Sequence, residues 1–222
     1  MSPGREQIRE MAEAYDKEAE ATGWLGPELA FSMVYEHIRP GQSILDIGIG
    51  TGLASVLFRK AGLRVYGMDI SENMLEACRM KGFADLTCHD LSTTPYPFAS
   101  ESFDHAVCLG VLNFFSDLSP VFAEAARLLR TRGTFVFEIG DRTEDEDFEF
   151  VVGPEHTGTG EPVTMYRHSS RQIDEWTDGF GFILLRSLPF TVFMDRTQRD
   201  SLRAKCYLVQ KAEGPVLGSW GP

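Results

Sequence analysis

Residues 44 to 52 read Ile-Leu-Asp-Ile-Gly-Ile-Gly-Thr-Gly, an apolar run that passes directly into a turn with glycine at every second position. Ile44, Leu45 and Ile47 have the character of a buried strand. Asp46 places one carboxylate near that strand's C-terminal end. Gly48, Gly50 and Gly52 carry no Cβ, so the backbone can turn sharply and approach a ligand closely. Residues 53 to 60 read as a helix whose free N–H groups face the contents of the turn. Such a turn places the chain among open α/β sheets, which bind ligands at the C-terminal edge of their strands.

The rest of the chain keeps that rhythm. Residues 6–21 are a charged helical stretch with Ile8, Met11, Ala12, Tyr15 and Ala19 on one side, stopped by Gly23. A second helix spans residues 28–38, ended by Pro40-Gly41. Strands are expected over residues 63–69, 84–89, 103–109 and 134–139. Ser71 caps one intervening helix, with Met74, Leu75 and Cys78 on a shared face. Ser119-Pro120 caps another, which Arg132-Gly133 ends. The alternation breaks at Gly140. Residues 141–168 are first acidic, then polar and glycine-containing. Ser169 and Gln172 form a capping-box pair for a helix through about residue 178. Strands over 182–192 and 205–211 follow, then a loose tail over 212–222. This order implies a parallel, doubly wound, Rossmann-like sheet.

The turn constrains the ligand. A dinucleotide fingerprint needs its third glycine at position 53, where Leu53 stands. No Gly-Lys-Ser/Thr follows, so a phosphate loop is excluded. An acid ahead of the glycines suits a ligand that carries a cation near the turn and no pyrophosphate. S-adenosylmethionine, with its α-ammonium and sulfonium, is such a ligand. Asp69 at the end of the second strand is placed to accept both ribose hydroxyls. Ile70 and Met74 suit an adenine face. Asp90 suits the adenine amino group, and the Leu91 N–H a ring nitrogen. Leu109 and Gly110 offer carbonyls to the ammonium, and Ile49 contributes backbone within the turn. Each position also has a plain structural alternative, as strand-end surface acid or core residue.

These segments, with His-Asp-Leu at 89–91 and Phe-Asp-His-Ala-Val-Cys-Leu-Gly at 103–110, resemble the class I S-adenosylmethionine-dependent methyltransferase family over residues 41–140. Asp-Ile-Ser-x-x-Met-Leu followed by Lys-Gly-Phe is similar to small stand-alone members, including the Williams–Beuren methyltransferase-like proteins. Ile49 departs from the cysteine often found between the glycines, and Thr134 from a usual second glycine. The resemblance implies one methyltransferase domain over 1–222 and a seven-stranded, mostly parallel sheet with an antiparallel last strand. It also implies a helical cover from residues 1–39, a cofactor-binding half over 41–140, a lid over 141–168, and a C-terminal helix and strands over 169–211.

The implied reaction is in-line methyl transfer to a small molecule. A cofactor-binding pseudoenzyme, a methyltransferase acting on a partner protein and a dehydrogenase remain alternatives. Acceptor-side candidates are Tyr15, Trp24, Asn113, Tyr166 and His168, with Gly23, Gly26, Gly158 and Gly160 as flexible points of the cover. No paired nucleophile and base announces itself. A net charge of -12 opposes nucleic-acid binding. No Asn/Asp/Ser-Pro-Pro-aromatic motif follows the fourth strand. Cys78, Cys88, Cys108 and Cys206 contain no Cys-x-x-Cys pair and read as free thiols. No metal site is expected. A cytoplasmic location is expected, because no apolar run reaches the roughly 20 residues of a membrane span and no apolar signal core begins the chain.

Overall fold

The computed structural model describes residues 4–153, 161–194 and 197–213. Its centre is a sheet of β1 (Ser43–Ile47), β2 (Arg64–Asp69), β3 (Asp85–Cys88), β4 (Phe103–Cys108), β5 (Leu129–Arg142), β9 (Phe182–Phe193) and β10 (Ser201–Lys211), ordered β3-β2-β1-β4-β5-β10-β9. The first five pair in parallel, and β10 runs antiparallel to both β5 and β9. The antiparallel last strand is therefore present. A two-residue β8 (His168–Ser169) pairs with the end of β5. Within the segment expected as a lid, β6 (Glu149–Val152) and β7 (Val163–Tyr166) pair antiparallel as a separate two-stranded sheet. Gly158, Gly160 and most of the tail lie outside the described residues.

Alternation along the strands builds two cores. Phe135, Phe137 and Ile139 of β5 point to one face, where α5 (Ser119–Leu128) and α6 (Ser170–Gly179) pack around Phe122. Phe122 meets Phe137 edge-on at 5.2 Å, and Phe137 stacks on Tyr207 at 5.3 Å. Val136 points to the opposite face. There α2 (Gly26–Val34), α3 (Ser55–Lys60) and α4 (Glu72–Met80) cover Ile44, Val107 and Leu208. Burying each of these large side chains stabilises the fold by about 1.5–3 kcal/mol. The long helix α1 (Arg5–Thr22) lies on α4 through Ile8, Ala12 and Ala77. It ends at Gly23, whose φ of 72° is left-handed.

Several boundaries differ from the sequence pattern for local reasons. Met11 and Tyr15 are 52% and 49% exposed, so the buried stripe of α1 is narrower than its apolar content. The second helix begins at Gly26, with Pro27 in its first turn, and stops at Val34. Arg132-Gly133 does not end α5. Arg132 takes a φ of 65° and the β4–β5 register shifts there, so the pair forms an irregularity inside a 14-residue strand. The cap of α5 is Leu118, with the Asp117 carboxylate accepting the Ser119 N–H at 2.8 Å. Ser169 caps α6 in the expected capping box with Gln172.

Candidate active site

The glycine turn follows β1 and folds back on β2. The N–H groups of Gly48 and Ile49 donate to the Met68 carbonyl oxygen at 2.8 and 3.0 Å. Gly48, Gly50 and Gly52 have φ values of 80°, 53° and 81°. A Cβ on Gly48 would collide with Val111, and one on Gly52 would sit 2.7 Å from the Phe83 ring. A Cβ on Gly50 would meet nothing within 4 Å, so the middle of the turn is open on that side. The helix α3 begins only at Ser55 and has six residues, not the eight expected. The polar groups of the turn are therefore its own N–H groups rather than a helix terminus.

Three acids at the strand ends have three different environments. Asp46 is 2% exposed and accepts the Ser55 Oγ–H at 2.7 Å. Burial pushes its carboxyl up to about 7, the Ser55 bond opposes this, and the charge of Asp69 adds to it. The carboxylate expected near a ligand cation thus sits beneath the turn and braces it. Asp69 spans the turn: Oδ2 accepts the Gly50 N–H at 2.9 Å and Oδ1 the Ser71 N–H at 2.8 Å. Asp90 is exposed and accepts the Ser92 N–H at 2.9 Å, which holds its carboxyl below the usual range. Leu91 beside it is buried, while Ile70 is 67% exposed and Met74 half-buried. A cleft of about 260 Å³ opens beyond Asp90, lined by Leu91, Ser92, Phe114, Asp117 and Tyr166 among others.

The other side of the turn is covered by the N-terminal segment. Asp16 of α1 accepts the Thr51 Oγ–H at 2.6 Å and pairs with Lys81 at the end of α4. Tyr15 leaves half its surface in solvent, yet its hydroxyl lies deep enough that burial raises its pKa, helped by the charges of Asp16, Glu138 and Asp69. The Trp24 indole lies against Gly110, 3.5 Å from where a Cβ would stand there. Its Nε1–H donates to both Glu138 carboxylate oxygens, at 3.1 and 3.3 Å. Glu138 is 4% exposed, and burial pushes its carboxyl up to about 7.

The acceptor-side candidates thus separate. Trp24 lies against Gly110 and Glu138, and Tyr15 feels the charge of the same Glu138. Tyr166 lines the cleft on the Asp90 side, 5.3 Å from the Phe148 ring. Asn113, in a 3₁₀ turn over Leu112–Phe114, accepts the Gly140 N–H at 2.5 Å and ties that turn to β5. His168 does not face a pocket. It is wholly buried between Phe148 and Trp176, its Nε2–H donating to the Phe115 carbonyl oxygen at 3.1 Å. Its Nδ1 has no partner among the described residues, and burial lowers its pKa to about 4. Glu138 was not among the sequence candidates. Its one local signal is an acid within the apolar run Phe-Val-Phe-Glu-Ile.

Residues 45–137, less than half of the chain, match the family model described as a methyltransferase domain. Among curated relatives, the chain is 30% identical over 140 residues to the malonyl-[acyl-carrier protein] O-methyltransferase of Serratia marcescens, covering 58% of this chain and 51% of that protein. It is 33% identical over 101 residues to a demethylmenaquinone methyltransferase of Tropheryma whipplei, covering 45% and 42%. The chain thus spans about half the length of the curated relatives it matches. Among solved structures, a SAM-dependent methyltransferase from Methanosarcina mazei superposes with a TM-score of 0.69 at 18% identity, covering 81% of this chain and 97% of that one. That likeness is one of fold. Among the described residues no helix is long and apolar enough to cross a membrane, and no cluster of three metal-ligating side chains occurs.

Proposed function

We propose that the chain is a methyltransferase that carries the methyl group of S-adenosylmethionine to a small-molecule acceptor. The observation that carries this reading is Asp69, fixed by two backbone N–H groups at the tip of β2 and across the open middle of the glycine turn. Each carboxylate oxygen keeps acceptor capacity after those bonds, as a ribose diol requires. The residues fit the cofactor in kind. Asp69 would hold the ribose, with Ile70, Met74, Asp90 and Leu91 around the adenine. Leu109, Gly110 and the turn of Gly48, Ile49, Gly50 and Gly52 would hold the amino-acid end, and Asp46 braces that turn from below. When bound, the cofactor supplies a methyl carbon already activated by its sulfonium. This chain's residues then align the acceptor and exclude water, and alignment alone can lower the barrier by several kcal/mol. Trp24 beside Gly110, Tyr15 on the same covering segment, and Tyr166 in the cleft beyond Asp90 are the aromatic residues suited to that task. Relatives include a malonyl-[acyl-carrier protein] O-methyltransferase, a demethylmenaquinone methyltransferase and a ubiquinone biosynthesis O-methyltransferase, which supports a small or carrier-linked acceptor.

Calorimetry with S-adenosylmethionine, S-adenosylhomocysteine and NAD tests the reading. Both adenosyl compounds should bind one site, and NAD far more weakly. NAD binding as tightly as the adenosyl compounds removes the cofactor assignment.

A further inference from the structure

Glu138 is the one acid that the strand-end roles above do not use, and its surroundings are unusual. It sits on β5, one residue beyond the Phe137–Cys108 pair, and so beside Leu109 at the edge of the sheet where Gly110 turns away. Alternation sends its side chain to the same face as Val136, towards α1 and α2 rather than the aromatic core. It is 4% exposed, and no cation among the described residues pairs with it. A buried carboxylate without a cation is costly unless hydrogen bonds satisfy it. Here its two oxygens share a single indole N–H, at 3.1 and 3.3 Å, although they can accept about four bonds. Trp24 from the α1–α2 linker bonds it, and its charge is felt at Tyr15 of α1, Cys108 of β4 and Cys206 of β10. The thiols are held neutral, because burial raises both. The backbone of Gly26 closes the site from α2, where a Cβ would strike Glu138. The cluster is thus an under-satisfied carboxyl covered by the Trp24 indole, which itself lies against Gly110.

We propose that Glu138 is the acceptor-recognising base of this site: it takes the hydroxyl of a neutral acceptor, with the Trp24 N–H holding that place until the acceptor arrives, and it rejects acceptors that present a carboxylate. The inference rests on the methyltransferase reading and adds the acceptor class to it. In the step itself, the acceptor O–H bond breaks as the O–CH₃ bond forms, and the hydroxyl proton passes to a Glu138 oxygen. The electron pair of the broken S–CH₃ bond stays on sulfur, and Glu138 later releases its proton to solvent. A carboxyl held up near neutrality by burial is a better proton acceptor than an ordinary one. A carboxylate acceptor would bring a second negative charge into a buried site with no cation to meet it. An aliphatic ammonium would pair with Glu138 but keep the proton that blocks its lone pair, because its own pKa lies well above that of Glu138.

Phenol and benzoate, added to protein saturated with S-adenosylhomocysteine, test the proposal by calorimetry. Saturation is verified first, so failure to bind the nucleoside defeats the methyltransferase reading separately. At about pH 8 phenol should bind about tenfold or more tighter than benzoate, since like charges placed together repel. Benzoate should tighten from about pH 8 to about pH 6 as Glu138 gains its proton, because benzoate itself, a free carboxylate, stays ionised across that range. Glu138→Gln should bring the two probes within about threefold and abolish the pH dependence, with unchanged nucleoside affinity reporting a folded variant. Trp24→Phe keeps the aromatic cover, frees the carboxyl, and should tighten phenol by about threefold or more. Benzoate equal to or tighter than phenol at the higher pH, no binding of either probe, or a preference that survives Glu138→Gln overturns the proposal.

Discussion

At the scale of single residues, the site is organised by what each carboxylate can accept. Asp46 on β1, Asp69 on β2 and Glu138 on β5 belong to one sheet, yet only Asp69 combines partial exposure with two fixed backbone donors. Those donors set the direction of its remaining lone pairs before any ligand arrives, and such preorganisation favours binding because little ordering remains to be done. Asp69→Ala should weaken S-adenosylhomocysteine by the worth of a charged hydrogen-bond pair, about 1.5–3 kcal/mol, or roughly ten- to a hundredfold. The fold should persist, since the Gly50 and Ser71 N–H groups it releases lie near water rather than in the core. Titration calorimetry on the folded variant checks this, and an unchanged affinity would make Asp69 a brace of the turn and nothing more. Asp46 is the contrast. The sequence places it two residues before the first glycine of the turn and suggests a ligand contact. A side chain within a strand buried on both faces is instead packed beneath the turn, where it meets Ser55.

At the scale of elements, the cover is held by one small set of contacts. The helix α1 buries only Ile8, Ala12 and Thr22, too little apolar surface to fix an 18-residue helix by packing alone. The exposed Arg5–Glu76 pair adds little. Asp16, bonded to Thr51 of the turn and Lys81 of α4, is the main polar anchor at the site end. Asp16→Ala should therefore speed hydrogen exchange of the α1 amides by about tenfold, a loss near 1.4 kcal/mol, and leave α5 unchanged. Equal protection in the variant and the parent would show that apolar contact suffices. The same scale explains what the sequence could reveal. Element types were legible where apolar periodicity and capping signals agree locally, as at Ser71 and at Ser169-Gln172. Arg132-Gly133 misled because a turn-like pair can also form a bulge, and only pairing with β4 decides which. The glycine turn and Asp69 were legible because each lies in a contiguous motif. The Trp24–Glu138 contact joins residues 114 apart, and nothing in either neighbourhood announces the other.

At the scale of the whole molecule, buried ionisable groups set an unusual balance with pH. Asp46 and Glu138 are both pushed up to about 7, so the folded chain holds protons that the unfolded chain releases. Their contribution is most favourable below about pH 4 and is lost as pH rises to about 7. The buried His105 and His168 are both lowered to about 4. His105 is satisfied as a neutral ring, Nε2–H donating to Gln42 Oε1 at 3.1 Å and Nδ1 accepting from Thr134 Oγ1 at 2.7 Å. The histidines' contribution is complete above about pH 6.5 and is lost as pH falls towards about 4. Two acids and two histidines thus pull in opposite directions over the same window, and each pull is on the order of a few kcal/mol. The expected result is a nearly flat stability between about pH 5 and pH 7, not the steep acid loss of a protein held by ion pairs. Asp46→Asn separates the two sides. Its amide oxygen can still accept the Ser55 hydroxyl, while the cost of a buried charge disappears. The variant should be more stable than the parent at about pH 8 by a few kcal/mol. It should then lose that advantage on acidification, as the parent's Asp46 gains its proton and both proteins are destabilised equally through the histidines. Urea midpoints across that range read this directly. A parent profile that falls steeply below about pH 6, or an Asp46→Asn variant no more stable than the parent at about pH 8, would show that the carboxyl beneath the turn does not oppose folding in its charged form.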